Sequence, residues 1–179
     1  MSSGLLPIVG VMGSGAKSHD DLAREVADAL IDLPASLLTG GGGGVMASVA
    51  KAYVESPRRK AGLSIGIVPC LPGEPTVPKA GYPNPYVEVP ILTHLPLSGS
   101  RGNELGSRNH INILSSAAVV ALPGRQGTAS EVALALEYNK PVIIFCRDFN
   151  DVVHFPDEAE RTSSINRVRE FLATTVIKN

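Results

Sequence analysis

The sequence predicts a single α/β domain: a doubly wound, mostly parallel sheet with helices on both faces. Short apolar runs alternate with segments whose apolar residues recur at spacings of three and four, which is the pattern of strand–helix units rather than of an all-β or all-α chain. Three of the run-to-helix junctions carry glycine: Gly10 to Gly15, Gly40 to Gly44, and Gly124 to Thr128. In a parallel sheet all three lie at the carboxyl ends of strands, where ligands bind. With 179 residues, 44% hydrophobic and 18% charged, the chain can bury a core as one domain and is not disordered.

Charge and cysteine usage narrow the function classes. Sixteen basic and 17 acidic residues give a pI near 6.4, so there is no sequence-wide positive field for nucleic acid or an anionic membrane. Cys70 and Cys146 stand far apart and read as buried thiols of a reducing cytoplasm, not as a disulfide framework or zinc ribbon. The N-terminus lacks a basic leader region, and no run offers the roughly 20 apolar residues of a membrane span.

In order, residues 5–12 read as a first buried strand ending in Gly13-Ser14-Gly15. Ser18 can cap the next helix, with Asp20 and Asp21 in its first turn. Leu22, Val26, Ala29, Leu30 and Leu33 form its core stripe, and Pro34 ends it. A strand over 36–39 runs into Gly40, Gly41, Gly42, Gly43 and Gly44, and a helix follows with Val45, Val49 and Val54. Residues 56–60 form a polar turn with solvated cations, and 63–68 a third strand. Seven prolines make 70–100 irregular and exclude a helix there, although 87–93 can form a short strand. A connection of this length reads as an insertion or lid. A helix over 103–114 places Arg108 and Asn112 one turn apart. A strand over 117–122, a helix over 128–138 and a strand over 141–146 follow. Residues 147–161 show no period and read as a surface connection. Ser163 or Ser164 then opens a last helix with Ile165, Val168, Phe171 and Leu172 on one face.

Five consecutive glycines lose much conformational freedom on folding, and what they offer is unobstructed N–H groups at a helix N-terminus, an anion cradle. A flexible turn is the alternative reading. The dinucleotide fingerprint is absent: the first loop reads G-x-x-G-x-G, and no acidic residue ends the second strand, so no NAD is expected. Gly15-Ala16-Lys17-Ser18 lacks the glycine spacing of a Walker loop. Ser64 in Gly62-Leu63-Ser64-Ile65-Gly66 falls within a strand, not on the turn a nucleophile elbow needs. His19, His94, His110 and His154 show no metal-ligand spacing, so no metal site is expected. Thr128 and Glu131, three apart, read either as a capping box or as ligand contacts, with Glu131 an acid/base or a hydroxyl acceptor. Arg108 is either a salt-bridge partner or a phosphate fork.

The ordered set Gly10-Val11-Met12-Gly13, Leu38-Thr39-Gly40-Gly41 with Gly44-Val45-Met46, Ser107-Arg108-Asn109-His110-Ile111-Asn112-Ile113-Leu114-Ser115-Ser116 and Pro123-Gly124-Arg125-Gln126-Gly127-Thr128-Ala129-Ser130-Glu131 resembles the LOG/DprA-like superfamily of Rossmann proteins. The likeness covers residues 5–146 outside the proline-rich segment, and it is nearest to the molybdenum cofactor carrier proteins. It implies a single-domain homo-oligomer, dimer or tetramer, that holds phosphorylated molybdopterin without turnover. The related LONELY GUY-type enzymes, misnamed lysine decarboxylases, release the base from nucleoside 5′-monophosphates through the signature P-G-G-x-G-T-x-x-E and an arginine on the preceding helix. That likeness makes Glu131 and Arg108 the catalytic candidates of a hydrolase. Arg125 replaces the second glycine of the signature, a departure that bears against hydrolysis. A DNA-processing role by analogy with DprA runs against the charge balance. The ligand site expected from the motifs and the likeness together comprises Gly13, Ser14, Gly15, Thr39, Gly40 to Gly44, Arg108, Asn112, Gly124, Arg125, Gln126, Gly127, Thr128 and Glu131, with a phosphate resting on glycine N–H groups.

Overall fold

The computed structural model describes residues 5–176. Its sheet has eight strands, in the order β4-β3-β2-β1-β6-β7-β8 with β5 paired to β3. The strands are β1 (Ile8–Met12), β2 (Ser36–Thr39), β3 (Ser64–Leu71), β4 (Glu74–Pro78), β5 (Val89–Thr93), β6 (Ala118–Ala121), β7 (Val142–Phe145) and β8 (Glu160–Thr162). All pairings are parallel except β3 with β4. The helices are α1 (Asp20–Ile31), α2 (Val45–Val54), α3 (Asn109–Leu114), α4 (Gln126–Glu137) and α5 (Ile165–Val176).

Strand alternation sends side chains to two cores. Val9, Val11, Leu37, Ala118, Val120, Ile143 and Phe145 point to one face, covered by α1, α2 and α5. Leu38, Val119 and Ile67 point to the other with Ile113 of α3 and Leu134 and Ala135 of α4. These central strands are apolar on both faces, as a doubly covered parallel sheet requires. Each fully buried Leu, Ile, Val or Phe contributes about 1.5–3 kcal/mol.

Five expectations change. His19, in the left-handed region at φ 44°, occupies the α1 N-cap, and the Ser18 hydroxyl instead donates to Asp20 Oδ2 at 2.9 Å. α3 starts at Asn109 rather than at residue 103, because the preceding residues form turns, with Glu104 N donating to Arg101 O at 3.2 Å and Ser107 N to Glu104 O at 2.8 Å, and Ser107 bridges to Leu97. Segment 70–100 is not wholly irregular: β4 folds back on β3 and β5 lies beside it, both at the sheet edge where proline is tolerated. Segment 147–161 is no bare surface connection either, since Val152, Phe155 and Ala159 are buried against Val132 of α4. Two of the three cations of turn 56–60 are ion-paired as well as partly exposed: Arg58, half-exposed, meets Asp28 and Asp32, and Arg59 meets Glu88. The N-terminal leader reading falls partly on residues 1–4, outside the described residues. Among the described residues no helix is long and apolar enough to cross a membrane.

Candidate functional site

β1 lies between β2 and β6, so the winding of the chain reverses there, and the loops leaving β1 and β6 open a crevice at their carboxyl ends. The two loops are tied by Ser14 N, which donates to Pro123 O at 3.1 Å, and the start of α2 is tied to the first of them by Val45 N, which donates to Ser14 O at 2.8 Å. Ser14 Oγ accepts from Lys17 N at 2.9 Å and Ala16 N at 3.2 Å, which fixes the first loop's turn. Two glycines are obligatory for this closeness. At Gly124 a Cβ would meet Thr128 Oγ1 at 2.1 Å, and at Gly44, φ 60°, it would meet Ser14 O at 2.2 Å.

The crevice is a cleft of about 310 Å³, and it holds Arg108 and Glu131 together with the glycine loops. Arg108, 7% exposed, donates through Nη1 to the carbonyls of Gly40 and Ile67 and through Nη2 to Tyr82 Oη at 3.3 Å. Its guanidinium carbon sits 5.1 Å from the Tyr82 ring centroid. Its Nε has no partner, and no carboxylate lies within ion-pair distance of it among the described residues. Glu131, 9% exposed, accepts from Asn112 Nδ2 at 2.9 Å through Oε1. Burial pushes its carboxyl up to about 7, against the lowering effects of the Asn112 bond and the Arg108 charge. Asn112 Oδ1 is buried and unpartnered. α4 begins at Gln126, and the N–H groups of Thr128 and Ala129 already reach Arg125 O, so the free donors of its first turn are those of Gln126 and Gly127.

A family model for the SLOG cluster4 family matches residues 6–172. The chain belongs to that family. The molybdenum cofactor binding protein of the phototrophic bacterium Rippkaea orientalis is similar in structure, at TM-score 0.72 and 31% identity over 96% of this chain and 98% of that one. So is the molybdenum cofactor carrier protein of Chlamydomonas reinhardtii, at TM-score 0.66 and 28% identity over 97% of this chain and 99% of that one. An uncharacterized protein of Archaeoglobus fulgidus is 30% identical over 136 residues, covering 75% of this chain and 76% of the relative.

In this SLOG family member the expected site residues divide. Gly13, Ser14, Gly15, Arg108, Arg125, Gly127, Thr128 and Glu131 line the cleft. Asn112 stands behind it through Glu131, Gly124 packs under Thr128, and Gln126 is exposed at the start of α4. Thr39 and Gly40 to Gly44 do not line it. Thr39 Oγ1 accepts from Gly41 N at 3.1 Å, Asn84 N donates to Gly41 O at 2.8 Å, and Asn84 Nδ2 donates to Gly42 O at 2.9 Å. The Tyr82 ring covers Gly42, where a Cβ would come within 2.7 Å of it. The capping box does not form, because Arg125 is the N-cap, Thr128 lies inside the first turn, and Glu131 turns to Asn112.

Ala16, Met46, Tyr82, Ser98, Gly99 and Asn109 also line the cleft and were not expected there. Asn109 and Met46 carried a signal, each by its place in a run that bears the family likeness. A larger depression of about 500 Å³ lies at the N-terminal end of α1, but its lining sets Asp20, Asp21, Glu25 and Asp151 against only Arg24 and Arg147, a net acidic surface that matches an anion poorly. Among the described residues no cluster of metal-ligating side chains occurs, and Ser64 is fully buried within β3.

Proposed function

We propose that the chain is a binding protein for a small phosphorylated ligand, pterin-type or nucleotide-like, which it carries without converting, in the manner of a molybdenum cofactor carrier. The observation that carries this reading is Arg108, a guanidinium 7% exposed, facing a cleft with no carboxylate paired to it. A desolvated cation is stabilised by an anion delivered to it. The N–H groups of Gln126 and Gly127 and the dipole of α4 add to the same preference. Charge-assisted bonds contribute about 1.5–3 kcal/mol each, so a few of them reach the roughly 8 kcal/mol of micromolar binding. Tyr82 and Met46 offer the ring of such a ligand an aromatic and a thioether surface. The likeness to the two molybdenum cofactor proteins over nearly their whole length supports phosphorylated molybdopterin as the cargo. In this reading the protein works in the cytoplasm as a homo-oligomer, dimer or tetramer, with neither membrane nor nucleic acid as partner.

One observation favours a second reading, a phosphoribohydrolase. Glu131, with its carboxyl near 7 and beside Arg108, is suited to proton transfer at neutral pH. One experiment separates the two. Purified protein is incubated with AMP and CMP while free base is assayed, and its bound material is oxidised and read by pterin fluorescence. Pterin fluorescence with no base release is the expected result. Base release that vanishes in Glu131→Ala would sink the carrier reading.

A further inference from the structure

A recess of about 110 Å³ adjoins the cleft, shares Ser14, Ala16 and Arg125 with it, and adds Lys17, His19 and Asp151. Its arginine, Arg125, stands out because seven of the other nine arginines are ion-paired. Among the described residues every arginine except Arg24, Arg108 and Arg125 is in an ion pair, and Arg108 and Arg125 line these two adjoining spaces. Lys17, like every lysine among the described residues, has no ion pair; what sets it apart is its place on the recess, fixed by the Lys17 N to Ser14 Oγ bond of 2.9 Å within the turn that walls the cleft. Asp151 is the one carboxylate in the recess lining, and neither cation reaches it within ion-pair distance.

We propose that this recess is a second anion subsite and that the preferred ligand carries two linked phosphates, one at Arg108 in the cleft and one between Arg125 and Lys17. The ligand class is then a pyrophosphate-bearing, nucleotide-extended molecule rather than a simple monophosphate. The inference rests on the reading that the cleft holds a phosphorylated ligand. Arg125 borders both spaces, and its planar fork suits two neighbouring phosphates at once. Arg125 and Lys17 together offset the added negative charge and leave a surplus over Asp151. Both cations are exposed, so they act in a high dielectric, and the gain is near tenfold rather than many orders of magnitude.

The test measures inorganic phosphate and inorganic pyrophosphate by calorimetry at fixed pH and ionic strength without divalent cations. Three proteins are compared: the wild type, Lys17→Gln, whose exposed side chain leaves folding undisturbed, and Arg125→Gln. In the wild type, pyrophosphate binds about tenfold tighter than phosphate. In Lys17→Gln the gap closes to within about twofold while phosphate affinity is unchanged, and in Arg125→Gln both affinities fall. Equal affinities in the wild type, or a gap that persists in Lys17→Gln, overturn the second subsite and leave the phosphate reading standing. If neither anion binds, the phosphate reading fails and the subsite falls with it.

Discussion

Glu131 loses its proton near 7 in the fold against an ordinary value of 4.5, so between these values the folded chain holds a proton that the unfolded chain has released. The stabilisation is therefore complete below pH 4.5 and is lost as pH rises through 7, a change of roughly 3 kcal/mol. Urea unfolding at pH 5 and pH 8 should show the wild type weakening across this range. Glu131→Gln keeps an acceptor for Asn112 Nδ2 and should flatten the dependence. Binding follows the same logic. Once ionised, Glu131 competes with a ligand phosphate for the Arg108 charge, so affinity for a phosphorylated ligand should fall from pH 6 to pH 8 relative to that of Glu131→Gln. A fall of equal size in the variant would remove Glu131 from this account. Arg108→Gln should lower affinity at least tenfold at either pH. Both residues were legible in the sequence because they sit in specific runs. Tyr82 was not, because an aromatic among prolines carries neither period nor motif.

At the scale of elements, the five-glycine loop accepts the 70–100 segment: Asn84 binds its carbonyls and the Tyr82 ring lies on Gly42. Gly42→Ala should displace that ring and destabilise the fold by about 1–3 kcal/mol. Added to Tyr82→Ala the same substitution should have a much smaller effect, and a double-mutant cycle of unfolding free energies measures the coupling. Asn84→Ala should make the segment more sensitive to limited proteolysis without changing the order of the sheet. The sequence announced the loop but not its occupant, since the contacts run from Gly41 and Gly42 to residues 82–84 and no local pattern encodes them. The start of α4 shows a different limit. Thr128 and Glu131 have the spacing of a capping box, yet the helix begins two residues earlier at Gln126, and that shift frees Glu131 for the cleft. The prolines of β4 hid a strand for a simple reason: they fit only an edge, and edge position is a property of the assembled sheet.

At the scale of the whole molecule, the doubly wound class was legible because the apolar runs of β1, β2, β6 and β7 are buried on both faces. The strand order was not. Placing β1 between β2 and β6 opens the crevice over the loops at Gly13 and Gly124, one strand away from the glycine run after β2. Every kind of ligand the cleft admits binds the folded chain alone, so it must raise the unfolding temperature. At a hundredfold excess over Kd the gain is about 2.7 kcal/mol, or roughly 5–10 °C for a chain of this size, measurable by calorimetric scanning. No such rise with any phosphorylated pterin or nucleotide would count against the cleft as a binding site.

The contact between Arg108 and Tyr82 has an optical consequence. The chain contains no tryptophan and four tyrosines, so its intrinsic emission belongs to tyrosine alone. One of the four has its hydroxyl within 3.3 Å of the guanidinium that faces the cleft. An anion that draws the guanidinium toward itself alters the surroundings of that phenol, and the protein carries its own indicator of occupancy, readable without label or assay enzyme.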